Sequence, residues 1–192
     1  MKVIDYYFSP VSPWTYLGHG RLLETAGRLG AAINVKPVDY GVIFPVSGGL
    51  PLGKRAPQRQ AYRLAELKRW SAHLGVPLTL NPKFFPVDGT AAAKLICAVT
   101  EKGRMALTGD LLTAVWAEEK NIADMGVLAK IAERYGITDA AQTIAAGAAG
   151  YEANTQEALE LQVFGAPTYV LEGELFWGQD RLEFLERALT RA

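Results

Sequence analysis

The chain has 192 residues, of which 49% are hydrophobic and 21% are charged. This balance suits one packed domain, or a domain with an inserted subdomain, and excludes a chain that is disordered throughout. Lys plus Arg and Asp plus Glu each number 20, so the formal net charge is +0 and the basic excess typical of nucleic-acid-binding proteins is missing.

Residues 1–38 predict a strand, a helix and a second strand. Val3–Phe8 is rich in β-branched and aromatic residues, as strands are. Apolar residues then recur at helical spacing over residues 13–29, with Ser12 placed to cap the helix. Ile33–Val38 predicts the second strand, in which Pro37 favours an edge position. A strand–helix–strand unit of this kind makes a parallel strand pair the expected arrangement.

The middle of the chain changes character. Phe44–Pro57 is rich in Pro and Gly and predicts a loop or linker. Beyond it, helical periodicity predicts helices at Gln58–Leu74, Thr90–Glu101, Thr108–Asn121, Asp124–Tyr135, Ala140–Ala149 and Tyr151–Val163.

Strands return at Thr168–Leu171 and Glu174–Trp177, joined by a two-residue hairpin signal, and a terminal helix follows from Gly178 to Arg191. The order predicts an α/β fold, namely a thioredoxin-like fold interrupted by an all-helical insertion subdomain. Residues 1–44 and 164–192 would form the split thioredoxin-like domain, and residues 45–163 the linker and helical insertion.

The single cysteine, Cys97, excludes an internal disulfide and a Cys-x-x-Cys redox pair. Thioredoxin folds that exchange disulfides carry that pair where their first helix begins, and here the stretch is Ser12-Pro13-Trp14-Thr15. What remains is a helix N-terminus that favours an anion, with the Ser12 hydroxyl as a donor. The alternative is that Ser12 only caps the helix. We expect Cys97 to be a small buried residue, and His19 and His73 to lie on helix surfaces.

Two further segments suggest a ligand. Pro167, before a strand, stands where thioredoxin folds place a cis-proline, and the backbone of Ala166 would then be free to pair with a peptide-like ligand. In Trp177-Gly178-Gln179-Asp180-Arg181, Gly178 permits close backbone approach, amides at a helix start suit a carboxylate, and Asp180 suits an ammonium group or a helix cap. A thiolate pocket, a strand-pairing group and a zwitterion site together match glutathione.

In this order and spacing, several segments resemble the 2-hydroxychromene-2-carboxylate isomerase family, DsbA-like relatives of kappa-class glutathione transferases. These segments are Tyr6–Phe8, Ser12–Leu17, Arg69-Trp70, Gly75–Pro77, Phe164–Thr168 and Trp177–Arg181. The resemblance covers nearly the full length of the chain.

The resemblance implies a glutathione-dependent isomerase. Its nucleophile would be the glutathione thiolate, hydrogen-bonded by Ser12, which adds to a hydroxychromene acid. Ring opening, bond rotation and loss of the thiol would then give the open-chain isomer. Ala166 and Pro167 would face the cysteinyl part of glutathione, and residues 177–181 its γ-glutamyl end. Trp14 and Phe84 would contact the substrate, although aromatic residues here also suit a core or a rim.

The chain departs from the family where relatives carry a lysine soon after the second strand and an Asn-Arg pair in the linker. Lys54, Arg55 or Arg59 is the predicted source of positive charge for the substrate carboxylate, against the alternative of a solvated basic helix start.

Two other functions stay open: a kappa-like glutathione transferase or peroxidase acting on another electrophile, and a noncatalytic glutathione- or peptide-binding module. The resemblance implies a homodimer. No targeting segment or membrane span is visible, so we expect a cytoplasmic protein that binds neither membranes nor nucleic acid.

Overall fold

A computed structural model describes residues 1–191 of the chain. Four strands form one sheet in the order β2-β1-β3-β4, with β1 at Val3–Phe8, β2 at Ala32–Pro37, β3 at Thr168–Leu171 and β4 at Glu174–Trp177. Strands β1 and β2 run parallel, and β3 runs antiparallel to β1 and to β4. The predicted strands, the parallel pair and the edge position of Pro37 are confirmed.

Helix α1 spans Pro13–Leu29 and begins as the sequence predicts. Ser12 Oγ accepts a hydrogen bond from the Thr15 amide at 3.2 Å, so Ser12 is the N-cap. Gly30 ends the helix in the left-handed conformation, with φ 65°, which glycine adopts without a steric cost. This cap fixes Ser12 just beyond the carboxyl end of β1.

The helices between β2 and β3 are α2 (Tyr40–Ser47), α3 (Pro57–Leu74), α4 (Thr90–Ala98), α5 (Glu101–Trp116), α6 (Met125–Glu133), α7 (Ala140–Ala146) and α8 (Ala148–Glu160). After β4 a short 3-10 turn at Gln179–Arg181 leads into α9 at Leu182–Leu189. The predicted α/β thioredoxin-like fold with a helical insertion is confirmed. Within residues 1–191 no helix is long and apolar enough to cross a membrane.

The prediction that Phe44–Pro57 is wholly a loop is wrong. Helix α2 runs to Ser47 despite Pro45 in its interior, and a 3-10 turn forms at Leu52–Lys54. Asp39 caps α2, and the fully buried Ile43 packs in a small cluster with Tyr7 and Val38. This packing outweighs the backbone hydrogen bond that Pro45 cannot donate.

The predicted helix boundaries near residue 100 are also wrong. Helix α4 ends at Ala98, and α5 begins at Glu101 and ends at Trp116. Arg104 explains the break, because its guanidinium donates to the carbonyl oxygens of Cys97 at 2.9 Å and Val99 at 2.8 Å. Those contacts satisfy carbonyls that a continuous helix would have used.

The hydrophobic core joins the sheet to the inserted helices. One buried cluster contains Ile4 and Phe8 of β1 together with Leu111 of α5 and Leu128 of α6. The division of the chain into two domains stays a prediction.

His19 is buried, with 9% of its surface exposed, so the prediction that it lies on the surface is wrong. Its Nδ1 lies 3.4 Å from the Tyr6 hydroxyl, and its Nε2 lies 3.0 Å from the Met105 carbonyl oxygen. These partners belong to β1 and α5, so the helical periodicity of α1 alone could not predict that His19 is buried. His73 is exposed, as predicted.

Candidate active site

A cavity of about 590 Å³ lies between the first turn of α1, one face of α3 and the segments before β3 and after β4. Its walls come from two distant parts of the chain. The thioredoxin-like side supplies Trp14, Ala166, Trp177, Gly178, Gln179, Asp180 and Arg181, and the helical side supplies Arg55, Gln58, Arg59, Tyr62, Arg63, Glu66 and Trp70.

Ser12 lies at the start of α1, two residues before Trp14 of the cavity wall. It is 8% exposed, and its Oγ accepts from the Thr15 amide. In the described chain the Ser12 hydroxyl donates to no protein acceptor, so its proton is available to a ligand. Thr15 is fully buried, and its Oγ1 has no hydrogen-bond partner within residues 1–191. Of this pair only Ser12 keeps any exposed surface, and neither residue itself lines the cavity.

The Ala166–Pro167 peptide bond is cis, as predicted. The flanking backbone is anchored, since Gly165 O accepts from the Tyr40 hydroxyl at 2.8 Å and Pro167 O accepts from the Gly178 amide at 2.8 Å. Neither the N–H nor the C=O of Ala166 is hydrogen-bonded in the part of the chain that the structure describes. Ala166 thus offers one donor and one acceptor to the cavity on a fixed backbone.

Trp177 forms one edge of the cavity and is 52% exposed. Its ring packs against Phe164, with the ring centroids 4.8 Å apart. A Cβ atom on Gly165 would stand 2.3 Å from Trp177 Nε1, so glycine is needed there for the indole to lie against the backbone.

Residues 178–181 turn the chain from β4 toward α9. Gly178 has φ 105°, a backbone conformation that residues other than glycine rarely adopt. Gln179 is 2% exposed, and its Oε1 accepts from Arg21 Nη1 at 2.9 Å. Asp180 pairs with Arg181 at 3.0 Å. The Gln179 side chain therefore holds this turn to α1, while Asp180 and Arg181 present paired charges to the cavity.

The helical wall carries most of the positive charge. Arg59 and Arg63 lie four residues apart on one side of α3, and Arg55, two residues before the helix begins, lines the same cavity. Burial, and then the charge of Arg55, lowers the pKa of the Arg63 guanidinium to about 10, so Arg63 is still charged at neutral pH. With Arg181 the cavity has four guanidinium groups against the carboxylates of Glu66 and Asp180, and it favours an anionic ligand.

The structure brings most of the predicted site residues together. Trp14, Arg55, Ala166 and residues 177–181 line one cavity. Ser12 and Pro167 do not line it, but Ser12 lies two residues before Trp14 and Pro167 directly follows Ala166. Lys54 and Phe84 are not among the described residues that line it. Lys54 is exposed, and Phe84 is 39% exposed with Lys83 Nζ 5.2 Å from its ring centroid.

Five lining residues were missed: Gln58, Tyr62, Arg63, Glu66 and Trp70. All lie on the helix that the sequence predicts at Gln58–Leu74. Continuing the helical spacing from Arg59 to Arg63, Glu66 and Trp70 would have placed them on one face. Knowing that this face turns toward Ala166 requires the tertiary structure.

Cys97 is partly buried and takes no part in the cavity wall. Burial raises the pKa of its thiol to about 11, so the thiol is protonated at neutral pH and is a poor nucleophile. No group of three or more His, Cys, Asp or Glu residues in the range 1–191 is arranged to hold a metal ion.

Comparison with known proteins identifies the family. The family model of the DSBA-like thioredoxin domain matches residues 3–190. A 2-hydroxychromene-2-carboxylate isomerase from Sphingobium xenophagum is 31% identical over 193 residues, which cover 98% of each chain. The chain belongs to the 2-hydroxychromene-2-carboxylate isomerase family.

Two further members of the 2-hydroxychromene-2-carboxylate isomerase family agree. The isomerase from Pseudomonas putida is 29% identical and covers 98% of this chain and 95% of its own. A solved structure of a 2-hydroxychromene-2-carboxylate isomerase superposes with a TM-score of 0.82 at 27% identity, covering 97% of this chain and 94% of that one. The resemblance predicted from the sequence motifs is confirmed, and the chain is an enzyme of an isomerase family.

Proposed function

We propose that this enzyme is a glutathione-dependent isomerase that interconverts 2-hydroxychromene-2-carboxylate and trans-o-hydroxybenzylidenepyruvate, or closely related aromatic acids. One observation carries the proposal: the unpaired backbone of Ala166, residues 177–181 and the arginines of α3 line a single cavity beside the capped start of α1. The membership of the isomerase family supports the same reaction.

The cavity fits glutathione in three respects. The free N–H and C=O of Ala166 suit a peptide ligand that pairs as an added strand. Gly178 lets a ligand approach the backbone, and Asp180 and Arg181 offer both charges to its zwitterionic γ-glutamyl end. The volume of about 590 Å³ is typical of small-molecule sites.

Glutathione, when bound, supplies the nucleophilic thiolate that the chain itself does not carry. The Ser12 hydroxyl would donate a hydrogen bond to the sulfur, and the N-terminus of α1 would stabilise the negative charge of the thiolate. Trp14 would contact the planar substrate, and the arginines would attract its carboxylate.

The experiment is Ser12→Ala, with glutathione affinity measured by calorimetry and turnover measured on the hydroxychromene acid. Removing one hydrogen-bond donor that is positioned to stabilise an anion lowers the rate about 10²-fold. The pH–rate profile should also move to higher pH, because the bound thiol loses a donor that favours its charged form.

Because Ser12→Ala also removes a helix cap, a matched control is needed. Asp124 caps α6 by accepting from the Gly126 and Val127 amides at 2.8 and 3.0 Å, and it lies outside the cavity. Asp124→Ala should cost about 1 kcal/mol of stability, as a lost cap does, and leave turnover unchanged. No glutathione binding by the unaltered enzyme, or full activity in Ser12→Ala, would contradict the proposal.

Product analysis separates this function from its alternatives. With the hydroxychromene acid we expect a simple isomer that contains no sulfur. A sulfur-containing product from a chlorinated nitrobenzene, without isomerase turnover, would instead indicate a transferase. Glutathione binding with turnover of neither compound would indicate a binding module.

A further inference from the structure

We propose that Arg63 holds the carboxylate of the electrophilic substrate and thereby selects anionic over neutral electrophiles. This inference rests on the proposed function, which leaves open which basic group meets the substrate. Lys54, one of the predicted sources of positive charge, does not line the cavity, whereas Arg63 of α3 does.

Arg63 has no carboxylate partner in the described chain, whereas two other charged residues of the cavity wall are paired. Arg181 pairs with Asp180, and Glu66 pairs with Arg69. Within residues 1–191 no carboxylate oxygen lies within 4.0 Å of Arg55, Arg59 or Arg63. These three positive charges face the same cavity, and an anionic ligand would offset the repulsion between them.

Among the three, Arg63 is the one whose guanidinium packs against aromatic rings. Its guanidinium carbon lies 5.4 Å from the ring centroid of Phe85 and 5.8 Å from that of Trp116. Those two rings pack together with their centroids 4.8 Å apart, and Trp116 is fully buried. The guanidinium therefore rests on a rigid aromatic surface of the core.

The other two arginines are less suited to the role. Arg59 is exposed, so water screens its charge. Arg55 is half-buried, but its Nε donates to the Leu50 carbonyl oxygen at 2.8 Å, which uses one of its donors within the protein. Arg63 combines partial burial with a free planar fork, the geometry that pairs with a carboxylate through two hydrogen bonds.

The test compares Arg63→Met and Arg63→Lys. Methionine keeps an unbranched apolar chain against Phe85 and Trp116 without the charge, and lysine keeps the charge without the planar fork. The matched control is Lys68→Met, which removes one positive charge from the exposed side of α3, away from the cavity. Thermal melting shows whether each variant folds.

Two readouts are used. Calorimetry in the presence of glutathione measures the affinity for chromone-2-carboxylate, a bicyclic acid, and for chromone, its neutral counterpart. Steady-state kinetics compare the hydroxychromene acid with its methyl ester. For Arg63→Met we expect roughly 10- to 100-fold weaker binding of the acid and a similar rise in its KM, the loss typical of a charged hydrogen-bonding group.

The neutral compounds should be bound and converted within about twofold of the unaltered enzyme, since they make no ionic contact to Arg63. Arg63→Lys should recover part of the affinity for the acid, and Lys68→Met should change nothing. Glutathione affinity should be the same in all variants.

Equal losses for acid and neutral compound, or no loss for the acid, would overturn the role of Arg63. The binding arm decides this even if the enzyme shows no isomerase turnover. Failure of the unaltered enzyme to bind glutathione or to isomerise the acid would instead overturn the proposed function, so the two failures are distinct.

Discussion

His19 shows how a single buried side chain couples stability to pH. Burial among β1, α1 and α5 lowers the pKa of its imidazole from 6.5 to about 4, although the hydrogen bond to the Met105 carbonyl opposes this effect. His19 is therefore neutral in the folded protein at neutral pH and stays neutral well below the pH at which an unfolded histidine is protonated.

As the pH falls below 6.5, the unfolded chain binds a proton at His19 that the folded chain takes up only near pH 4. The contribution of His19 to stability is thus complete above pH 6.5 and is lost between 6.5 and about 4. The pKa difference corresponds to roughly 3 kcal/mol. We predict that the stability difference between the unaltered protein and His19→Gln shrinks by about this amount between pH 7 and pH 4, measured by urea unfolding.

His73 provides the control for this measurement, because it is exposed on α3. The stability difference for His73→Gln should be nearly independent of pH. A stability difference for His19→Gln that stays constant from pH 7 to pH 4 would contradict the lowered pKa.

At the scale of residues, the sequence predicted features that depend on neighbouring residues and missed those that depend on residues distant in the chain. Ser12 was predicted as a cap because capping depends on residues within one turn, and Gly178 was singled out because glycine permits close backbone approach. His19 and Arg63 were missed as buried or lining residues, because their partners come from elements far away in the chain.

At the scale of elements, the junction between α7 and α8 packs closely against α4. A Cβ atom on Gly147 would stand 1.8 Å from the Lys94 carbonyl oxygen, which is a backbone atom and cannot turn aside. We predict that Gly147→Ala forces the helices apart and costs about 1–3 kcal/mol of unfolding free energy, the range for overpacked sites. Urea unfolding measures this directly.

Gly150, three residues further along and inside α8, is the matched position. A Cβ atom there would lie 3.4 Å from the Cys97 Cβ atom, an ordinary contact. Gly150→Ala should therefore be neutral, or stabilise the helix by up to about 1 kcal/mol. If the two alanine variants lost stability equally, the close approach at Gly147 would not be the cause.

The strands and α1 were predicted because their periodicity and end signals agree. The start of α5 was missed because Gly103 interrupts its pattern. Helix α2 was missed because Pro45 obscures it, while its stabilising contact is the distant packing of Ile43. In each case tertiary packing overrides the local preference.

At the scale of the whole molecule, the sheet and the inserted helices share one core. We predict a single cooperative unfolding transition, with far-UV circular dichroism, dominated by the inserted helices, coinciding with tryptophan fluorescence. Hydrogen exchange at the amides of Tyr6 in β1 and Leu111 in α5 should give opening free energies within about 1 kcal/mol of each other. Earlier exchange or melting confined to the helices would contradict this coupling.

The hydroxyls of Ser12 and Thr15 have a consequence for how the enzyme operates between turnovers. An oxidoreductase with a cysteine pair ends each cycle in the opposite oxidation state and must be reset by a second protein. A site with serine and threonine in those positions has one oxidation state only, so the enzyme emerges from every cycle ready for the next. It therefore needs no dedicated electron donor or acceptor in order to recycle.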